Sequence, residues 1–133
     1  MTPPALAALH ALAFPQARAW TRTEFEDLLA QPHVDLQTAN GGFALSRTVA
    51  GESELLTLAV HPLMRRRGIA SGLVRAWLDG LAPGDAAFLE VAADNAAARA
   101  LYDRFGFTRA ATRHGYYARP GGTRVDGLVL RRG

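Results

Sequence analysis

The chain has 133 residues, no cysteine, and 15 basic against 12 acidic side chains, for a formal net charge of +3. That length suits one domain spanning 1–133, and a hydrophobic content of 49% supplies a core. No apolar run reaches the roughly 18 residues a membrane span requires, and the lack of cysteine excludes disulfides and thiol chemistry. All 15 basic residues are arginine. Apart from Arg65–Arg67 and the C-terminal pair they are scattered, which argues against direct nucleic-acid binding despite a sequence pI near 10.2. The composition is that expected of a cytoplasmic protein.

The first segment, MTPPALAALHALAF, is apolar, yet no basic stretch precedes it and His10 interrupts it. It reads as a helix over about residues 4–13 with Leu6, Leu9 and Leu12 on one stripe, and not as a leader peptide. Thr21 with Glu24 three residues later predicts a capped second helix, ended at Gln31-Pro32. VDLQTA and FALSRTV flank Asn40-Gly41-Gly42, which predicts a hairpin. Ala50-Gly51-Glu52 turns into LLTLAV, so residues 34–60 are expected to form an antiparallel meander.

The stretch from Leu55 to Leu81 organises the chain. It reads LLTLAV, then HPLMRRRG, then IASGLVRAWLDGL. The first piece is a buried strand. The last places Ile69, Leu73, Ala76, Trp77 and Leu81 at helical spacing. A strand, a basic glycine-containing loop and a helix in that order make an anion site, because a helix N-terminus presents unpaired N–H groups and a partial positive charge. Gly68, Ala70, Ser71 and Gly72 would let a phosphate-bearing ligand approach the first turn. The loop lacks the GK[ST] ending of a nucleotide-triphosphate P-loop, and no GxGxxG occurs.

Beyond a break at Ala82–Asp85, AAFLEVA predicts another buried strand. Asp94 or Asn95 caps a helix, AAARALYDRF, which Gly106 stops in a left-handed conformation. Residues 107–117 and 123–131 read as two strands joined by Pro120-Gly121-Gly122. Strand, helix and strand around 55–92 imply a right-handed parallel crossover. The expected architecture is α/β, a mixed sheet flanked by helices.

Three further residues stand out. Glu90 interrupts the apolar run Phe88–Val91. Burial there disfavours the anion and suits a general base, and the alternative is an edge position facing water. Tyr102 lies one turn from Ala98 and Phe105, so packing explains it, yet a tyrosine facing a cleft could donate its phenolic proton. Asn95 is either a helix cap or a ligand contact. The four histidines have no metal-ligand spacing, and no metal site is expected.

Arg65-Arg66-Arg67-Gly68-Ile69-Ala70 fits the [QR]-x-x-G-x-[GA] signature, and the chain resembles the GNAT acetyl-CoA-dependent N-acetyltransferases. LEVAADNAAARALYDRFGF, residues 89–107, looks like the matching block of the RimI subfamily, which acetylates the N-terminal alanine of small-subunit ribosomal protein eighteen. Phe14-Pro15, Trp20, Phe25 and Tyr116-Tyr117 extend the resemblance. It implies that backbone amides of Arg66, Arg67, Gly68, Ile69, Ala70 and Ser71 hold the coenzyme pyrophosphate, with Arg65 starting the loop. Leu58, Ala59 and Val60 would pair with the pantetheine arm, and the Ala59–Val60 backbone would receive the oxyanion. The resemblance further makes Asn95 a coenzyme contact, Glu90 the general base and Tyr102 the general acid, in direct transfer without an acyl-enzyme. The partners implied are acetyl-CoA and a protein N-terminus. Alternatives are a GNAT acting on a small amine, such as an antibiotic or polyamine, and a non-catalytic acetyl-CoA-binding module.

The sequence departs from the family in three ways. The helix signal begins too early for the usual first strand, which is expected to be missing. His61 stands where many relatives carry Asp before Pro62, and Ala70 replaces a second glycine.

Overall fold

The structure is a computed structural model that describes residues 1–133. Helix α1 (Pro3–Ala13) starts at Thr2, whose hydroxyl accepts a hydrogen bond from the Ala5 N–H. Prolines occupy its first positions, where no intrahelical N–H is needed. Helix α2 (Arg22–Leu29) carries the expected capping box: Thr21 Oγ1 accepts from the Glu24 N–H, and the Glu24 carboxylate accepts from the Thr21 N–H.

Strands β1 (Val34–Ala39), β2 (Gly42–Val49) and β3 (Glu52–Val60) form the antiparallel meander. Helix α3 (Ile69–Asp79) follows, ending two residues before Leu81, with Gly80 as its C-cap. Then come β4 (Ala86–Ala92), α4 (Ala96–Arg104), β5 (Thr108–Ala118) and β6 (Arg124–Arg132). Asn95, not Asp94, caps α4, and Gly106 takes the left-handed conformation expected of it (φ +85°). The six strands lie in the order β1-β2-β3-β4-β6-β5, and only β3 and β4 run parallel. No strand precedes α1, so β1 is an edge of the sheet.

Each face of the sheet has its own core. On one, Leu73, Val74 and Trp77 of α3 and Leu101 and Tyr102 of α4 pack against Leu55, Leu89, Val91, Leu128 and Leu130. On the other, Leu6 and Leu9 of α1 and Phe25 of α2 cover Phe43, Leu45 and Ala59. Burying each large side chain of this kind contributes about 1.5–3 kcal/mol. Two contacts seat α3. The Trp77 indole N–H donates to the buried Ser53 hydroxyl at 2.9 Å. At Gly42, a Cβ would stand 2.8 Å from Ile69 Cγ2 and 3.2 Å from Leu73 Cδ1. Gly42 is therefore the first residue of β2 and a contact surface for α3, and the hairpin turn is only Asn40-Gly41.

One irregularity in β3 shapes everything that follows. Leu45 pairs with Thr57 and Ser46 with Leu55, leaving Leu56 without a partner. The extra residue shifts the alternation, so Leu55 and Leu58, three apart, both meet the α3–α4 core. A bulge bends its strand and increases the local twist. The parallel ladder to β4 pairs Glu52 with Ala86, Ser53 with Ala87 and Glu54 with Phe88, and stops there, just before the bulge. Beyond it the two strands part.

Candidate active site

Where β3 and β4 part, Leu58, Ala59 and Val60 keep their bonds to β2 and have no partner on the β4 side. Their main chain is a free strand edge, open to an extended ligand. The loop after β3 begins with a 3-10 turn, Pro62–Met64. His61 caps it by accepting the Leu63 N–H at its Nδ1, a role an aspartate could also fill.

Past that turn the chain presents a run of donors. No N–H from Arg65 to Ser71 has a backbone or side-chain acceptor within the protein; the next, that of Gly72, bonds to the Gly68 carbonyl. Arg66 (φ +64°) and Gly68 (φ +76°) both take the left-handed conformation, which folds successive N–H groups toward a common concavity. Gly68 has no neighbour within 4 Å of where a Cβ would lie, so its bareness serves the backbone angle and the open space above it. No side chain caps α3 at this end. A chain of unpaired amides at a helix N-terminus fits a doubly charged phosphate group. The Arg65 guanidinium turns away from this concavity, donating to the Ala13 carbonyl at the end of α1 at 3.2 Å.

The two sequence-predicted catalytic residues reach β4 from opposite faces. Leu89 and Val91 point into the α3–α4 core, so Glu90 between them points to the α1–α2 side. On one side β6 pairs alongside, with Glu90 opposite Val129; on the other the β3 ladder has already stopped at Phe88, so Glu90 borders the opening. Its surroundings are polar. Its side chain is 21% exposed, Oε1 lies 2.9 Å from Arg113 Nε, and Oε2 accepts the Tyr117 hydroxyl at 3.0 Å. The water-facing alternative read from the sequence is thereby replaced: Glu90 is a half-buried carboxylate held by polar partners.

Tyr102 comes from α4 on the other face, packed edge-on to Phe107 with ring centroids 5.7 Å apart. Burial pushes its phenol well above the usual tyrosine value, which keeps the proton on the oxygen. The hydroxyl has no hydrogen-bond partner in the chain. Since no buried side-chain N or O lacks a partner, that oxygen reaches accessible space. Tyr102 is thus core residue and available donor together. Asn95 caps α4 through Oδ1, accepting the Ala98 N–H at 3.1 Å, which leaves its amide N–H groups for a ligand.

Several site residues escaped the sequence. Asp94, beside the cap, makes a two-pronged pair with Arg119, Nε to Oδ2 and Nη2 to Oδ1, each at 2.9 Å. The guanidinium holds the Asp94 carboxyl below its usual range. Arg119 also lies over the Tyr117 ring at 5.6 Å, and Arg113 over Tyr116 at 4.9 Å. Between Arg113 and Tyr117 the ladder to β6 is irregular, with four steps on β5 against two on β6 (Gly127 to Val125). No local pattern in the sequence marks these partners. No three His, Cys, Asp or Glu side chains gather into a metal-ligating group, and no helix is long and apolar enough to cross a membrane.

On the α1–α2 side, His10 is buried. It stacks on Trp20 at 5.0 Å and accepts the Trp20 backbone N–H at Nδ1. This contact fixes the segment between α1 and α2.

Comparison with known proteins bears on this arrangement. The model of the acetyltransferase (GNAT) family matches residues 8–107. The chain is 32% identical over 130 residues to the [ribosomal protein bS18]-alanine N-acetyltransferase of Escherichia coli strain K12, covering 93% of this chain and 87% of that protein. It is 36% identical over 135 residues to the N-alpha-acetyltransferase RimI of Mycobacterium tuberculosis, covering 95% and 83%. The crystal structure of the ribosomal-protein-S18-alanine N-acetyltransferase from Escherichia coli superposes with a TM-score of 0.84, covering 97% of this chain and 85% of that one.

Proposed function

The chain belongs to the acetyltransferase (GNAT) family and is an acetyl-CoA-dependent N-acetyltransferase; from that premise we propose that its acceptor is a protein N-terminal α-amine, that of an alanine on a small-subunit ribosomal protein. A ribosomal acceptor implies a cytoplasmic site of action. The observation that carries the donor half of this reading is the run of unpaired N–H groups from Arg65 to Ser71 beside the free edge of β3.

In this reading the amides of Arg66, Arg67, Gly68, Ile69, Ala70 and Ser71 take the coenzyme pyrophosphate. The edge at Leu58, Ala59 and Val60 takes the pantetheine arm, and Asn95 contacts it from the far side. The thioester then lies between β3 and β4, within reach of Glu90 from one face and Tyr102 from the other. An α-amine has a pKa near 8, so a carboxylate base suffices at neutral pH. Glu90 removes a proton from the attacking nitrogen as the N–C bond forms, directly or through a water. An N–H of Ala59 or Val60 stabilises the oxyanion on the acetyl carbonyl. As the C–S bond breaks, Tyr102 gives its proton to the departing thiolate. Each such proton transfer is typically worth about 10²–10⁴ in rate.

The experiment follows release of coenzyme A thiol from acetyl-CoA with peptides beginning Ala-Arg and, separately, with spermidine. Release with the peptide alone supports the proposal. Release with the polyamine alone rejects the protein acceptor while leaving the acetyltransferase intact.

A further inference from the structure

Glu90, Tyr117, Arg119 and Asp94 form one connected line. It runs from the α1–α2 face of β4, through the β5–β6 hairpin, to the turn that caps α4. Glu90 accepts the Tyr117 hydroxyl at 3.0 Å, the Tyr117 ring lies under the Arg119 guanidinium at 5.6 Å, and Arg119 grips both oxygens of Asp94 at 2.9 Å. The Arg119 side chain is only 16% exposed, although it sits near the hairpin end. Its fork is matched to the carboxylate in a way a lysine could not reproduce.

Geometry explains why the line closes. Strand β6 lies between β4 and β5, so a side chain of β5 meets Glu90 only by crossing β6. It crosses at Gly127, where a Cβ would stand 3.2 Å from Tyr117 Cε2 and 3.4 Å from both Glu90 Cδ and Oε2. Gly127 is a notch in β6 through which Tyr117 touches the base. Tyr117 is paired with Val125 and Ala118 with Arg124, but the irregularity between Arg113 and Tyr117 separates this hairpin end from the regular ladder beside Glu90. The Arg119–Asp94 pair ties that end to the turn before α4.

We infer that Arg119, anchored by Asp94, is a positioning residue that holds Tyr117 against Glu90 and so fixes the orientation of the base. Asp94 and the Asn95 cap are adjacent in the turn that leads into α4. The strap therefore ties the base to the same turn that would meet the coenzyme. The inference rests on Glu90 acting as the base.

The test uses Arg119→Met, which keeps a stem over the Tyr117 ring and removes the fork, Tyr117→Phe, and the double variant. Peptide acetylation, melting temperature and the melting shift induced by acetyl-CoA are measured for each. Arg119→Met should lower kcat by about ten- to a hundredfold, the scale expected when a reacting group is misplaced by about 1 Å. The acetyl-CoA shift should be retained, and Arg119→Lys should restore only part of the rate. In the Tyr117→Phe background, Arg119→Met should cause no further loss, because both act through one contact. An unchanged kcat in Arg119→Met, or an equal loss in both backgrounds, would overturn the inference. Should Arg119→Met not fold, Asp94→Asn, which leaves the arginine in place, is required to lower kcat in the same non-additive way. Glu90→Gln separates the two levels: full activity there removes the base and this inference with it. A dead Glu90→Gln beside an unaffected Arg119→Met removes this inference alone.

Discussion

In the proposed site, the groups that would meet the coenzyme are main-chain atoms: the N–H groups from Arg65 to Ser71 and the free edge at Leu58–Val60. Those that would meet the acceptor are side chains held by other side chains: Glu90 between Arg113 and Tyr117, Tyr117 under Arg119, and Trp20 stacked on His10. A backbone site depends on a few torsion angles set within one stretch of chain. A side-chain site depends on elements far apart in sequence arriving together. The first kind is cheap to specify and tolerant of substitution wherever the angles allow. The second is tunable, and any one of its members can spoil it.

That contrast can be attacked from both sides. The largest expected effect is on catalysis: Tyr102→Phe should lower kcat by about 10² or more, the lower end of what a general acid supplies. The ring packs as before and its hydroxyl has no partner to orphan, so steady-state kinetics beside an unchanged melting temperature is the check. An unchanged kcat would return Tyr102 to simple packing. Next, acetyl-CoA at about 100 times its Kd should stabilise the native chain by about 2.7 kcal/mol, and thermal shift should find that gain absent in Gly68→Glu. Glutamate there both opposes the left-handed angle and sets a negative charge among the donors.

A smaller effect concerns the buried His10. Burial, opposed by Glu24 and assisted by Arg18, holds His10 below its ordinary imidazole value of 6.5. The unfolded chain therefore takes up a proton more readily than the folded one. The stability due to neutral His10 is complete above 6.5 and is lost as pH falls below it. Melting temperature measured from about pH 7.5 down to about pH 5.5 should fall, and His10→Asn, which keeps an acceptor but cannot titrate, should flatten that fall. The smallest effect lies outside both sites. Ala50 sits at φ +52° in the turn between β2 and β3. Ala50→Gly should raise stability by about 0.5 kcal/mol, seen as a higher denaturation midpoint without change in activity.

The same contrast explains how much the sequence could disclose. The capping box at Thr21, the crossover around α3, Gly106 and the glycine loop are local features, and all were legible. The bulge at Leu56 was not, because LLTLAV is apolar but for Thr57 and shows no alternation to be interrupted. Glu90 could be recognised as out of place in its strand, yet whether it faced water depended on β6, which arrives from the chain's far end. Asp94 and Asn95 looked like rivals for one cap. They divide two tasks, and only the position of Arg119 reveals the second. Gly127 has no signature at all, since its role is to leave room between two residues on other strands.

The most direct test of the account is where the acetyl group lands. A peptide beginning with alanine and containing one internal lysine is incubated with the protein and acetyl-CoA, then fragmented in a mass spectrometer. The account predicts a single acetyl on the N-terminal α-amine, with the same peptide left unmodified by Glu90→Gln. Acetylation of the lysine side chain, or equal N-terminal acetylation by Glu90→Gln, would contradict it.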